Sequence, residues 1–177
     1  MSRINIIKRE QTSGALAQSL NKIKSKFGVL PNSLATFANT PAVLNGYLAF
    51  SEALSGGELD ARQRESIALA VGQSNRCQYC LSAHTRIGKG AGLTSKQIDD
   101  ARYAHSDNSL TDAILKLAVL IINKRGKLTD EDIHQAKSVG ISDSLLVETI
   151  GLVALNTLTN YTNLIAQPDI DFPVVEI

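Results

Sequence analysis

The amino-acid sequence predicts an all-α protein, and three observations carry that prediction. Apolar residues recur at intervals of three and four, as at Leu16, Leu20, Ile23 and Phe27, the spacing of one helix face. Thr or Ser stands before several periodic runs, joined by acidic residues at Thr129 with Asp130, Glu131 and Asp132 and at Ser142 with Asp143, the signature of helix starts. No run of alternating β-branched residues bounded by hairpin turns competes, and only the two ends read as possible extended pieces.

In chain order, Thr12 to Phe27 is an amphipathic helix, broken by Gly28 and Pro31. Ser33 is expected to cap a short apolar segment. Pro41 suits the first position of a helix reaching about Leu54, where Ser55, Gly56 and Gly57 end it. Leu59 to Gly72 and Cys77 to Gly90 follow, with Asn75 as the expected N-cap between them. Thr94 starts a helix to about His105, and Leu110–Lys124, Thr129–Val139 and Ser142–Leu164 complete a bundle of about eight helices. The tail from Gln167 holds two prolines and an apolar PVVEI, read either as a frayed end or as an arm laid across a neighbouring subunit.

An internal echo runs through this order. At an offset of 48, Leu69-Ala70-Val71 meets Leu117-Ala118-Val119, Asn75 meets Asn123, Gly92 meets Gly140 and Thr94 meets Ser142, which indicates a duplicated helical hairpin. Only the first copy carries chemistry: opposite Glu65, Cys77, Cys80 and His84 stand Ala113, Arg125, Leu128 and Asp132.

Those four residues are the candidate site. Cys77 and Cys80 stand three apart and His84 follows four later, so on a helix they share one face. Unpaired N–H groups and the positive end of the macrodipole at a helix start favour a thiolate there. His84 is placed to accept the Cys80 proton, and Glu65 to orient the imidazole once a tight turn folds its helix alongside. A thiolate with a neighbouring thiol suits attack on a peroxide O–O bond, giving a sulfenic acid that the second cysteine resolves as a disulfide. The competing readings are two small buried thiols and a zinc site in which Glu65 joins the cysteines and His84. Tyr79 is expected to cover the site. Asn156, Asn160 and Asn163 line one face of the last helix, either as a site or subunit wall or as a solvated face.

Glu65, the Cys-x-x-Cys-x-x-x-His run and the Gly-Leu-Thr turn at Gly92 to Thr94 resemble the alkyl hydroperoxidase D branch of the carboxymuconolactone decarboxylase family, in particular its smaller peroxidase-related members. The resemblance spans about residues 27–165, including Leu30-Pro31-Asn32 and the NTLTNYTN run at 156–163. It implies Cys80 as the peroxidatic thiol, Cys77 as the resolving one, and His84 and Glu65 as a proton relay. The best-known members carry a further His between the cysteines, where this chain has Tyr79, so the relay here is shorter. The implied function is a thiol-dependent peroxidase acting on a hydroperoxide and recycled by an external dithiol of thioredoxin-like or lipoyl type, in a trimer or hexamer. The alternatives are a carboxymuconolactone decarboxylase-like enzyme and a non-catalytic, redox-sensing or zinc-binding oligomer.

The chain's 177 residues, 44% of them hydrophobic, suit one domain over 1–177. Eighteen basic against seventeen acidic residues, without a cluster, indicate neither nucleic acid nor an anionic membrane as partner. Lys116 and Glu148 interrupt the apolar stretches, and the first ten residues lack the apolar core of a secretory signal, so a cytoplasmic protein is expected. Gly88, Gly90 and Gly92 follow a helix rather than a strand, so no nucleotide, flavin or haem is implied.

Overall fold

The computed structural model describes residues 2–177, apart from the side chain of Lys26. Among them are nine α-helices and no strand: α1 (Gly14–Phe27), α2 (Asn32–Phe37), α3 (Pro41–Ser55), α4 (Ala61–Ser74), α5 (Gln78–Gly90), α6 (Ser95–Arg102), α7 (Ser109–Asn123), α8 (Asp130–Ser138) and α9 (Asp143–Ala166). The possible extended pieces at the ends are irregular chain. No single described helix is long and apolar enough to cross a membrane.

Helix α4 is the axis of the fold, packed against α5, α6, α7 and α9. Its run from Ser66 to Gly72 is buried on all sides, which a helix tolerates only at the centre of a core. Ile67, Leu69 and Val71 expose nothing, and Leu69→Ala is expected to cost about 2–5 kcal/mol. A second apolar cluster joins Leu20 and Ile23 of α1 to Leu34, Phe37 and Leu44. Glu148, which breaks the apolar pattern of α9, is used structurally: its carboxylate accepts the backbone N–H groups of Glu58 and Leu59.

The caps follow the chemistry of their residues. Thr94, Thr129 and Ser142 each accept the N–H three residues on, from Gln97, Asp132 and Leu145. Two expected caps fall elsewhere. Ser33 lies buried inside α2, which Pro31 precedes, and Asn75 closes α4 rather than opening α5. The hairpin duplication is visible in the backbone: Gly92 and Gly140, with φ of +91° and +97°, end α5 and α8 in the same way. Leu93 N–H bonds Gly88 carbonyl oxygen and Ile141 N–H bonds that of Ala136, each six-residue closure lying 48 residues from its twin.

Candidate functional site

The turn between α4 and α5 builds the thiol site. After Asn75, Arg76 takes the left-handed conformation at φ 54°, and Cys77 N–H returns to the Gly72 carbonyl oxygen at 2.9 Å. Cys77 is thereby the N-cap of α5, and its sulfur accepts the Cys80 N–H at 3.3 Å. Cys80 is the third helical residue, in the turn where free N–H groups and the dipole favour negative charge. The two cysteines, 5.3 Å apart at Cα, are joined as a disulfide. In this form the sulfurs bind each other and are not free to ligate zinc.

One turn further, His84 Nδ1 meets Glu65 Oε2 of α4 at 2.7 Å, each side chain about one-fifth exposed. The pairing expected between helices α4 and α5 is therefore present. Gly88, on the same face as Cys80 and His84, lies tight against the turn after α5: a Cβ there would lie 3.1 Å from Leu93 Cδ1. His84 shares a cleft with Cys80 without a direct hydrogen bond to it. That cleft, of about 70 Å³, is mainly apolar, with Phe27, Leu34, Ile87 and Phe172 in its walls. A roomier cavity of about 480 Å³ lies at the start of α4 beside the α6–α7 loop, lined by cap residues such as Asp60 and Asn108 and by no thiol.

Sequence reading misses two contributors and leaves a third open. Tyr47 of α3 lines the cleft, its hydroxyl pushed up to about 12 by burial and then by the Glu65 charge, so it stays a neutral donor. The tail is the second. Rather than fraying, it folds back over its own α5, placing Ile170 and Phe172 against the cysteines. Tyr79 ties it down: its hydroxyl donates to Asp171 at 2.6 Å and accepts the Ser33 N–H at 3.0 Å, and Phe172 packs edge-on to its ring. Burial and the Asp171 hydrogen bond hold the Tyr79 hydroxyl protonated far above the usual phenol range. Tyr79 thus covers the thiols by fastening the segment that covers them. The third is the asparagine stripe, which is a buried wall rather than a solvated face: Asn160 accepts from Asn75 at 2.9 Å, and Asn163 Nδ2 donates to Cys80 Sγ at 3.3 Å.

A helical chain with a Cys-x-x-Cys disulfide at a helix start, faced by a Glu–His pair, defines the class as a helical thiol–disulfide protein. Residues 41–116, less than half of the chain, match the carboxymuconolactone decarboxylase family, and the helical fold is AhpD-like. The chain is 30% identical over 95 residues to an alkyl hydroperoxide reductase of Mycobacterium tuberculosis, a stretch that is 53% of this chain and 28% of that protein's length. The fold matches a peroxidase-related protein of Ralstonia eutropha JMP134 described as an alkylhydroperoxidase AhpD core, at TM-score 0.86 and 22% identity, covering 96% of this chain and 92% of that one. It also matches a cysteine-to-alanine variant of the debrominase Bmp8 in complex with 2,3,4-tribromopyrrole, at TM-score 0.79 and 16% identity, covering 97% and 92%.

Proposed function

We propose that this chain is a thiol-dependent peroxidase. The observation that carries the reading is a Cys77–Cys80 pair at the start of α5 with the His84–Glu65 pair one turn along, Cys80 and His84 both lining one small apolar cleft. In the reduced protein the Cys80 thiolate attacks the terminal oxygen of a hydroperoxide. The O–O bond breaks, its electron pair leaves on the alkoxide, and His84, held by Glu65, supplies the proton that makes the alcohol. Cys80, now a sulfenic acid, is attacked by Cys77, water departs and the disulfide forms. An external dithiol then reduces it with two electrons, so each cycle converts one hydroperoxide and one dithiol to alcohol, water and a disulfide. The setting proposed is a cytoplasmic homo-oligomer.

The alkyl hydroperoxide reductase relative favours this reading, whereas the family's name and the debrominase fold supply its rivals. The test is a thiol count and intact mass of reduced protein before and after one equivalent of an organic hydroperoxide, followed by stopped flow. Rapid loss of both thiols, with the mass change of disulfide formation and with Cys80→Ser inert, is expected. Thiols that stay unreacted refute it. Ring decarboxylation that survives Cys80→Ser would instead support the decarboxylase reading, and a disulfide that changes assembly without turnover the sensor reading.

A further inference from the structure

Asn163 reaches the thiols from α9, across the cleft from the helix that carries them. It is 5% exposed and Cys80 3%, and its Nδ2 donates to Cys80 Sγ at 3.3 Å. A disulfide sulfur bears no hydrogen, so only the NH2 end of an amide can bond it, and the orientation of Asn163 follows from that. Its other end, Oδ1, is buried and has no hydrogen-bond partner among the described residues. Packing alone does not explain an asparagine here. An alanine or valine would leave no buried carbonyl unpaired, a situation that costs stability. The residue carries that cost while its donor touches the reacting atom.

The electrostatic surroundings make the donor matter. The titratable groups facing Cys80 are Cys77, Tyr79 and His84 of α5, Glu65 of α4, Tyr47 of α3 and Asp171 of the tail. Among the described residues no lysine or arginine lines the cleft, and Arg76, next to Cys77 in the chain, points to solvent. With Glu65 bound to His84 and Asp171 to Tyr79, negative charge on Cys80 is met by His84 in the same cleft, by the start of α5 and by the amide of Asn163, the one of the three with a direct hydrogen bond to its sulfur from a side chain.

We propose that Asn163 is a catalytic residue of this site, its Nδ2 holding Cys80 as a thiolate and its Oδ1 accepting the hydroxyl hydrogen of the substrate. The first half stands whatever Cys80 attacks; the second rests on the peroxidase reading. In that reading the hydroperoxide's O–H stays with the oxygen that ends on sulfur. A carbonyl that holds this hydrogen beside Sγ therefore aims the right oxygen at the nucleophile, while the alkoxide leaves toward the His84 side.

The test uses a Cys77→Ser background, in which Cys80 is the single thiol and serine, a good N-cap, preserves the start of α5. Thiolate ultraviolet absorbance against pH reads the Cys80 pKa directly and needs no peroxide. Replacing Asn163 by leucine removes the donor with a larger apolar side chain of the same branching, and Asn163→Asp keeps the shape but replaces the donor by a charge that itself disfavours the thiolate. Losing a hydrogen bond to the thiolate is expected to raise the pKa by about one to two units in both, slowing alkylation by iodoacetamide about 10- to 100-fold at neutral pH. At pH well above the raised pKa the alkylation rates should converge with those of the Asn163 protein, a recovery that a merely structural role would not produce. An unchanged pKa in either folded variant overturns the first half; if leucine prevents folding, the aspartate variant decides. At high pH, Asn163→Leu is expected to stay slow toward tert-butyl hydroperoxide after its iodoacetamide rate has recovered, and equal recovery toward both overturns the second half. No peroxide reaction even with Asn163 in place would refute the peroxidase reading and leave the pKa result standing.

Discussion

Loosening the C-terminal strap by Asp171→Ala is expected to speed reduction of the Cys77–Cys80 disulfide. Cys77 and Cys80 expose only 1% and 3% of their surface, with Ile170 and Phe172 lying on them, so an external dithiol reaches sulfur after a local opening. Asp171 is the main polar tie of the segment: its carboxylate accepts the Tyr79 hydroxyl at 2.6 Å and the Asn32 N–H, at the start of α2, at 2.8 Å. Hydrogen bonds to a buried charge are each worth about 1.5–3 kcal/mol, but Asp171 is exposed, so about 0.5–1 kcal/mol each is the appropriate scale. Losing about 1–2 kcal/mol of closure raises the open population roughly 5- to 30-fold. The strap keeps its other anchors, Val175 N–H to Ser82 at 3.0 Å and Arg102 to the Glu176 carbonyl oxygen, so the fold itself should survive. The assay is the pseudo-first-order rate of thiol release from oxidised protein in excess dithiothreitol, with hydrogen exchange at Val175 as the independent measure of opening. Faster exchange at Val175 with an unchanged reduction rate would refute the reasoning and route the reductant past the strap.

Three further outcomes follow from the same geometry. Glu65→Gln removes the charge opposite His84 Nδ1, and oxidation of Cys80 by hydroperoxide is expected to slow by about 10- to 100-fold with little change in melting temperature; an unchanged rate removes Glu65 from the relay. Val147, Ile150, Ala154, Leu158, Tyr161 and Ile165 leave a three-and-four-spaced apolar stripe exposed along α9, so paired Ile150→Lys and Leu158→Lys should lower the mass seen by analytical ultracentrifugation, whereas an unsubstituted chain that sediments as a monomer would refute self-association there. Asp112 is held at about 2 chiefly by its hydrogen bond to Lys116, helped by the Ser106 N–H and His105 and opposed by partial desolvation. Because that lies below the unfolded value of about 3.9, the stabilisation is complete above it and lost as pH falls toward 2. Urea midpoints of Asp112→Asn should therefore lie below the unsubstituted protein's at neutral pH and merge with them near pH 2, and a constant gap across that range would contradict the assignment.

The parts of this molecule written in local pattern were legible in its sequence. Thr94, Thr129 and Ser142 announce their helices because a cap acts within three residues, and Cys77, Cys80, His84 and Glu65 converge because one tight turn brings two adjacent helices together. What failed was either ambiguous locally or distant. Asn75 suits a helix start in composition, yet the left-handed Arg76 makes it the end of α4 and hands the cap to a cysteine, a residue that propensity does not favour there. Asn163 meets Cys80 across 83 residues and Asp171 meets Tyr79 across 92, and no periodicity encodes contacts of that separation. A short tail with prolines and a few apolar residues looks the same whether it frays or straps a site, because what decides is the surface it finds.

The duplication explains why the chemistry sits where it does. The two hairpins match at their outer ends: α4 and α7 begin after Asp60 and Asn108, and α5 and α8 end before the glycines at 92 and 140, each pair offset by 48. They differ between. Helix α7 runs one residue longer, so Arg125 rather than Lys124 takes the left-handed place of Arg76. Helix α8 begins only at Asp130, which by the same offset corresponds to Ser82. The first turn of α5, residues 78–81, therefore has no helical counterpart: in the second copy that stretch is the loop leading to Thr129. Cys80 and the free N–H groups around it belong to a turn that the hairpin does not need in order to pack. Asp132, opposite His84, serves instead as the cap partner of Thr129 and the ion-pair partner of Lys124. A hairpin that closes equally well without this turn places no packing demand on a cysteine at position 80. Cys80 and His84 nevertheless line one cleft, as the proposed chemistry requires, and replacing Cys80 by serine should leave thermal stability nearly intact while removing that chemistry.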